Sequence, residues 1–98
     1  MHEILRGVRG FEWDDGNSGK NEEKHGVTDR EAEEIFFNKP LLIASSAKGG
    51  VEVRYAALGK TFGSRLLAVI FTLRSKRIRV ISARPMSRKE RETYEKES

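Results

Sequence analysis

The hydrophobic pattern changes period partway along the chain. Ala32, Ile35 and Phe36 fall at i, i+3 and i+4, one apolar stripe of a helix, while Glu33 and Glu34 turn away from it. After Pro40 the period becomes two. Residues 41–47 read as a strand, and Ala47-Lys48-Gly49-Gly50 as a turn whose glycines supply positive φ. Val51, Val53, Tyr55 and Ala57 line one face of the next strand, with Glu52 and Arg54 opposite. Gly59 and Gly63 bracket a second connection. Residues 66–73 are nearly all apolar, as expected of a central strand covered on both faces for most of its length. Ser75-Lys76 turns the chain and residues 78–83 return. Such short connections predict a meander of about four antiparallel strands. Phe11-Glu12-Trp13 alternates like a further short, half-buried strand, with Trp13 in the core. Residues 1–9 show no clear period and read as a lead-in or a strand extension.

Capping signals place the helices. Asp14 and Asp15 are good N-caps for a first helix over residues 16–24, with His25 in its last turn and Gly26 as its stop. Gly16, Asn17, Ser18 and Gly19 are poor helix formers, so tertiary contacts must hold its first turn. Thr28-Asp29-Arg30-Glu31 is a capping box that opens the second helix, which ends near Asn38, before Pro40. Ser87-x-x-Glu90 is another, just after Pro85, opening a helix over residues 88–97 made almost wholly of charged residues. A helix that polar stands on the surface. The elements predict one α+β domain over residues 1–98.

Charge changes this picture. The net charge of +4 is unevenly placed: residues 1–47 carry 6 Lys/Arg against 10 Asp/Glu, and residues 48–98 carry 13 against 5. A basic half suits a polyanion such as nucleic acid, or is simply a solvated surface. With no cysteine, disulfides and thiolate metal sites are excluded. The two histidines, His2 and His25, do not make a protein-built zinc site. No apolar run approaches the roughly 20 residues that span a bilayer, and the N-terminus lacks a signal-peptide core, so a soluble cytoplasmic protein without a cofactor is expected.

No nucleotide-binding glycine loop, nucleophile elbow or HExxH motif occurs. Candidate chemistry rests on a cationic set: Lys24, His25, Arg65, Arg74, Arg77, Arg79, Arg84 and Arg88, together with Tyr94. Metal-free RNA cleavage needs a base for the 2′-hydroxyl, a cation for the phosphorane and an acid for the leaving 5′-oxygen. Histidine exchanges protons near neutrality, arginine binds phosphate bidentately, and tyrosine orients or donates. Each residue also has a plainer reading. His25 complements a helix dipole. Arg84 pairs with Glu90. Tyr94 docks a polar helix. Arg65 and Arg74 flank the central strand. Strict alternation puts Arg79 and Ile81 on one face, so Arg84 points away from Arg79 unless Pro85 twists it.

Two separated motifs carry a resemblance. Phe11-Glu12-Trp13-Asp14, then Asn21-Glu22-Glu23-Lys24-His25-Gly26-Val27-Thr28, then Ala32 to Phe36, resemble the opening of BrnT toxins. Arg54-Tyr55-Ala56-Ala57-Leu58-Gly59, residues 66–72 and 77–84, Arg88-Lys89-Glu90-Arg91 and Tyr94 fit the second half. The chain departs from the pattern at Gly16 and Gly19, where helix formers are common, and in residues 1–10, which precede the usual start. The resemblance implies a RelE-like fold of two N-terminal helices, a twisted antiparallel sheet of about four to five strands and a C-terminal helix. It implies a type II ribonuclease toxin neutralised by a BrnA-like ribbon-helix-helix antitoxin. Such pairs typically repress their own operon, so DNA is contacted only through the complex. Carried over by position, the site residues are Lys24, His25, Arg84 and Tyr94, with Arg65 as a further candidate. The alternative is a non-catalytic basic module that docks an acidic protein partner or nucleic acid.

Overall fold

Residues 2–46 and 52–97 are described by a computed structural model. At its centre lies β4 (Leu66–Arg74), paired antiparallel with β3 (Arg54–Lys60) on one side and β5 (Arg77–Pro85) on the other. β2 (Leu42–Ser46) extends the sheet beyond β3, and β1 (Gly10–Phe11) lies along β5, giving the order β1-β5-β4-β3-β2. β2 to β5 form the expected meander. Ser75 and Lys76, with φ of 50° and 64°, make the tight turn between β4 and β5. The 47–50 turn and Val51 lie outside the described residues.

β1 departs from the expectation of an antiparallel sheet. It pairs parallel to β5 through Gly10↔Arg77 and Phe11↔Ile78, so the five-stranded sheet is mixed. Residues 12–76 lie between the two strands, and no hairpin constrains their direction. The lead-in also belongs to the core. A 3-10 turn over Glu3–Leu5 buries Leu5, and Ile4 and Val8 pack beside it.

One sheet face carries the main core. Leu67, Val69 and Phe71 of β4, Ala57 of β3 and Val80 and Ala83 of β5 pack with Ala32 and Ile35. α2 (Asp29–Glu34) supplies Ala32 and continues into a 3-10 turn, Ile35–Phe37. Its predicted capping box is present: Glu31 N–H donates to the Thr28 hydroxyl, and the Glu31 carboxylate accepts from Thr28 N–H. Gly59 lies inside β3 rather than at its end. A Cβ there would stand 2.8 Å from Ile35 Cβ, so this glycine lets strand and helix approach. The β3–β4 connection is residues 61–65. Val53 precedes β3 and is exposed.

α3 (Arg88–Glu97) starts at its predicted cap and lies on the opposite face, where Tyr94 and Met86 bury Ala68 against Leu42, Leu58 and Leu66. The first helix is shorter than expected: α1 is Lys20–His25, and residues 15–19 form turns. Asp14 caps those turns, accepting from Gly16 N–H at 2.8 Å, while Gly19 at φ 74° precedes the helix. The four weak helix formers cost too much to be wound into a helix that buries so little.

Candidate functional site

A bulge in β5 decides which arginines share a face. Ile70 opposes Ser82 but Phe71 opposes Val80, so Ile81 is an extra residue. The inserted residue reverses the parity of the strand beyond it. Arg79 faces the row of Thr72, and Arg84 the row of Ala68, both on the side of the sheet where α3 packs. Strict alternation would have turned Arg84 away. The bulge, not Pro85, brings it round.

The predicted site residues then separate into two groups. One stands at the end of the sheet where β4 begins and β5 finishes. Leu67 pairs with Pro85, and Met86 N–H donates to Leu66 O at 3.1 Å, so Arg65 and Arg84 flank the same end. α1 delivers Lys24 and His25 there, both exposed in its last turn. Gly26, at φ 67°, closes α1, and its carbonyl accepts from Arg65 Nη1 at 2.8 Å. The same Nη1 reaches the Glu31 carboxylate at 3.1 Å. Burial works to raise the Glu31 pKa, but the Thr28 amide and Arg65 outweigh it and hold the carboxyl below its usual range. Arg65 thus joins the α1 end, the start of α2 and the entry to β4.

Arg84 is held by Glu90. Nη1 and Nη2 donate to the two carboxylate oxygens at 2.7 and 2.8 Å, a bidentate pair. The Arg84 guanidinium pulls Glu90 down to about 2, with help from Ser87 N–H, while Glu90 raises the Arg84 pKa. Glu90 is also the capping-box acid of α3, so one carboxylate starts the helix and seats the arginine. Tyr94 does not face an open site. It is 2% exposed, and its hydroxyl donates to Pro40 O at 2.6 Å. In this geometry it anchors α3 to the sheet.

The second group lies roughly 15 Å away along β5, taking about 3.3 Å per strand residue. Arg79 donates to Asp14 at 2.9 and 3.0 Å and to Glu12 at 2.9 Å, with only 14% of its side chain exposed. Its bond with Asp14 raises Arg79 and lowers Asp14. Arg74 pairs with Glu52 at 2.8 Å. These two arginines, expected to bind RNA, tie the segment before α1 and the segment before β3 to the sheet. Arg77 is exposed beside the turn, and Arg88 is exposed at the start of α3, 4.0 Å from Glu92. A cleft of about 200 Å³ runs between Arg54, Arg74, Arg79, Thr72 and Glu52. Arg54, absent from the sequence-derived set, lines it with a buried Nε that has no partner.

Sequence reasoning also missed two asparagines. Beyond its two pairs with β1, the outer edge of β5 meets side chains. Asn17 Nδ2 donates to Val80 O at 3.1 Å, and Ala83 N–H donates to Asn21 Oδ1 at 3.0 Å. Both asparagines are buried. Asn17 looked like a weak helix former, and Asn21 stood among the motif residues with nothing local to mark its role.

A family model described as ribonuclease toxin, BrnT, of type II toxin-antitoxin system matches residues 13–90. No curated protein matches the chain.

Proposed function

The chain belongs to the BrnT family of ribonuclease toxins of type II toxin–antitoxin systems, and from that premise we propose that it is a metal-independent endoribonuclease with its site at the end of the sheet holding Lys24, His25, Arg65 and Arg84. The observation that carries this reading is the convergence of three chain segments there. α1 brings Lys24 and His25, its terminal carbonyl is tied to Arg65, and Arg84 leaves the adjoining end of β5. A phosphodiester bound across Lys24 and Arg84 has its developing phosphorane charge met by two cations. His25 takes part in proton transfer, from the attacking 2′-hydroxyl or to the departing 5′-oxygen. Tyr94 serves by seating α3, and with it Glu90, which holds Arg84 in place until phosphate displaces the carboxylate.

The family implies an RNA substrate and an antitoxin partner. We take the antitoxin to be BrnA-like, with a ribbon-helix-helix region, and DNA to be contacted only through that complex. We take residues 1–98 to be one RelE-like toxin domain. The two short helices before the meander and the helix after it support that reading. Among the described residues no helix is long and apolar enough to cross a membrane, which is compatible with a site of action in the cytoplasm.

Cleavage of a defined RNA in EDTA tests the assignment. Wild type is expected to cut, and His25→Ala and Arg84→Ala to lose about a hundredfold or more in kcat, as for removal of a group that stabilises transition-state charge. Full activity in both variants overturns the site; loss of wild-type activity in EDTA with recovery on adding a divalent ion overturns metal independence.

One observation favours a second reading, a basic binding module without chemistry. Arg65, Arg74, Arg79 and Arg84 each carry a carboxylate partner. If these pairs are permanent, none of these four arginines is left to hold a phosphate. Expression of the chain alone, without arrest of growth and without RNA cleavage, is the outcome that selects this alternative.

A further inference from the structure

The outer edge of β5 is only partly covered by a strand. β1 pairs with Arg77 and Ile78, and Glu12 N–H donates to Ile78 O at 2.8 Å. Past that point the edge would present unpaired backbone groups in the protein interior, at a cost comparable to lost hydrogen bonds. Val80 O is met by Asn17 Nδ2 and Ala83 N–H by Asn21 Oδ1. Two amide side chains therefore continue the ladder where β1 stops. They are 4% and 5% exposed, and 63 and 62 residues distant in sequence from their strand partners.

Their order along the strand is informative. Asn17 sits at Val80 and Asn21 at Ala83, so residues 17–25 run in the same direction as β5. Asn21 is the second residue of α1, and Lys24 and His25 come three and four positions later, about one helical turn further toward the strand end that carries Arg84. Asn17 is fixed at its other side too, by Nδ2 to Glu12 O at 3.0 Å and Oδ1 from Asp14 N–H at 2.8 Å. α1 itself is six residues long and begins at a left-handed glycine with no side-chain cap. A helix that short does not persist on its own. Its flanking glycines are held by Asp29 and Arg65, and the helix itself is held to the edge of β5 at Asn21.

We propose that Asn17 and Asn21 are positioning residues for the ribonuclease site: they stand in for a missing strand on β5 and thereby set Lys24 and His25 at the level of Arg84. The inference rests on the proposed site assignment. Asn21 bears most of it, because its oxygen is the one bond among the described residues that ties α1 itself to the strand backbone.

The test compares Asn21→Ala with Asn38→Ala. Asn38 Nδ2 donates to Lys60 O at 2.9 Å, a side chain-to-strand bond of the same kind outside the proposed site. RNA cleavage and amide hydrogen exchange are measured on both and on wild type. Asn21→Ala is expected to lower kcat about tenfold or more with KM within about twofold, since small misplacements of catalytic groups are costly. It is also expected to speed exchange of the Ala83 amide about tenfold, while Asn38→Ala leaves kcat and that amide near wild type. Equal kcat losses in the two variants, or an Ala83 amide that exchanges at the wild-type rate in Asn21→Ala, overturn the proposal. Should Asn21→Ala not fold, Asn17→Ala takes its place, read through kcat and His25 resonances. Its overturning result is wild-type behaviour in both. If wild-type protein cleaves no RNA, the site assignment fails. The Ala83 amide and the His25 resonances still report whether the asparagines hold α1.

Discussion

Arg84 and Glu90 meet in two parallel hydrogen bonds of 2.7 and 2.8 Å, joining the end of β5 to the first turn of α3. The pair orients the arginine and also occupies it. RNA that binds Arg84 has to exchange a phosphate for this carboxylate. Glu90→Gln keeps an acceptor for Ser87 N–H and so keeps the cap, but removes the competing charge. We expect this variant to bind RNA more tightly, with KM falling about threefold to tenfold in the range of a screened charge pair. The fall in Tm should stay within roughly 5 °C, since exposed pairs contribute about 0.2–1 kcal/mol and the Arg84 side chain is partly solvated. A KM that rises would mean that Glu90 positions Arg84 more than it competes for it.

The same pair predicts an acid response. Glu90 has its pKa lowered to about 2 in the folded chain, from an ordinary value of 4.5. A depressed carboxylate stabilises the fold fully above the unfolded value, and the contribution is lost as pH falls through the folded one. The stability difference between wild type and Glu90→Gln should therefore be constant above about pH 5, shrink below 4.5 and vanish near 2. Thermal melts at about pH 2–7 on the two proteins measure it. A difference that does not change across that window would assign the stabilisation to something other than ionised Glu90.

Tyr94 separates anchoring from chemistry. Tyr94→Phe loses the bond to Pro40 O and is expected to cost about 1 kcal/mol of stability with RNA cleavage unchanged. Tyr94→Ala empties the contact among Ala68, Met86 and Leu58 and should cost about 3–5 kcal/mol, loosening α3. Urea unfolding and cleavage assays on both variants are sufficient. A Tyr94→Phe protein that is stable but inactive would return the hydroxyl to the reaction.

Gly59→Ala tests the close approach of β3 to the helical layer. The new methyl would lie 2.8 Å from Ile35 Cβ and 3.3 Å from Leu41 Cδ1, too near without a shift of backbone. A destabilisation of about 1–3 kcal/mol is expected, relieved in part by Ile35→Val, which removes the Ile35 δ-methyl 3.4 Å from the same point. Denaturant titration of the single and double variants reads out the coupling.

What local pattern could settle is visible in particular elements. The boundaries of α3, the capping boxes at Thr28 and Ser87, the β4–β5 turn at Ser75-Lys76 and the central place of β4 all come from spacing and caps, because each depends on residues within a few positions of one another. The paired motifs were also readable, and with them the family. Other features were decided only by folding. β1 joined β5 in parallel although residues 12–76 lie between them. Ile81 bulged and turned Arg84 onto the face of Arg79. Asp14 capped a turn at Gly16 in place of a helix and also paired with Arg79. Asn17 and Asn21, weak or neutral in any local scale, became the outer edge of a strand more than sixty residues away. For β1, Asp14 and the two asparagines the reason is the same. A backbone group or a buried charge must find a partner once water is removed, and which partner stands within reach is set by the packed sheet and not by the neighbouring sequence.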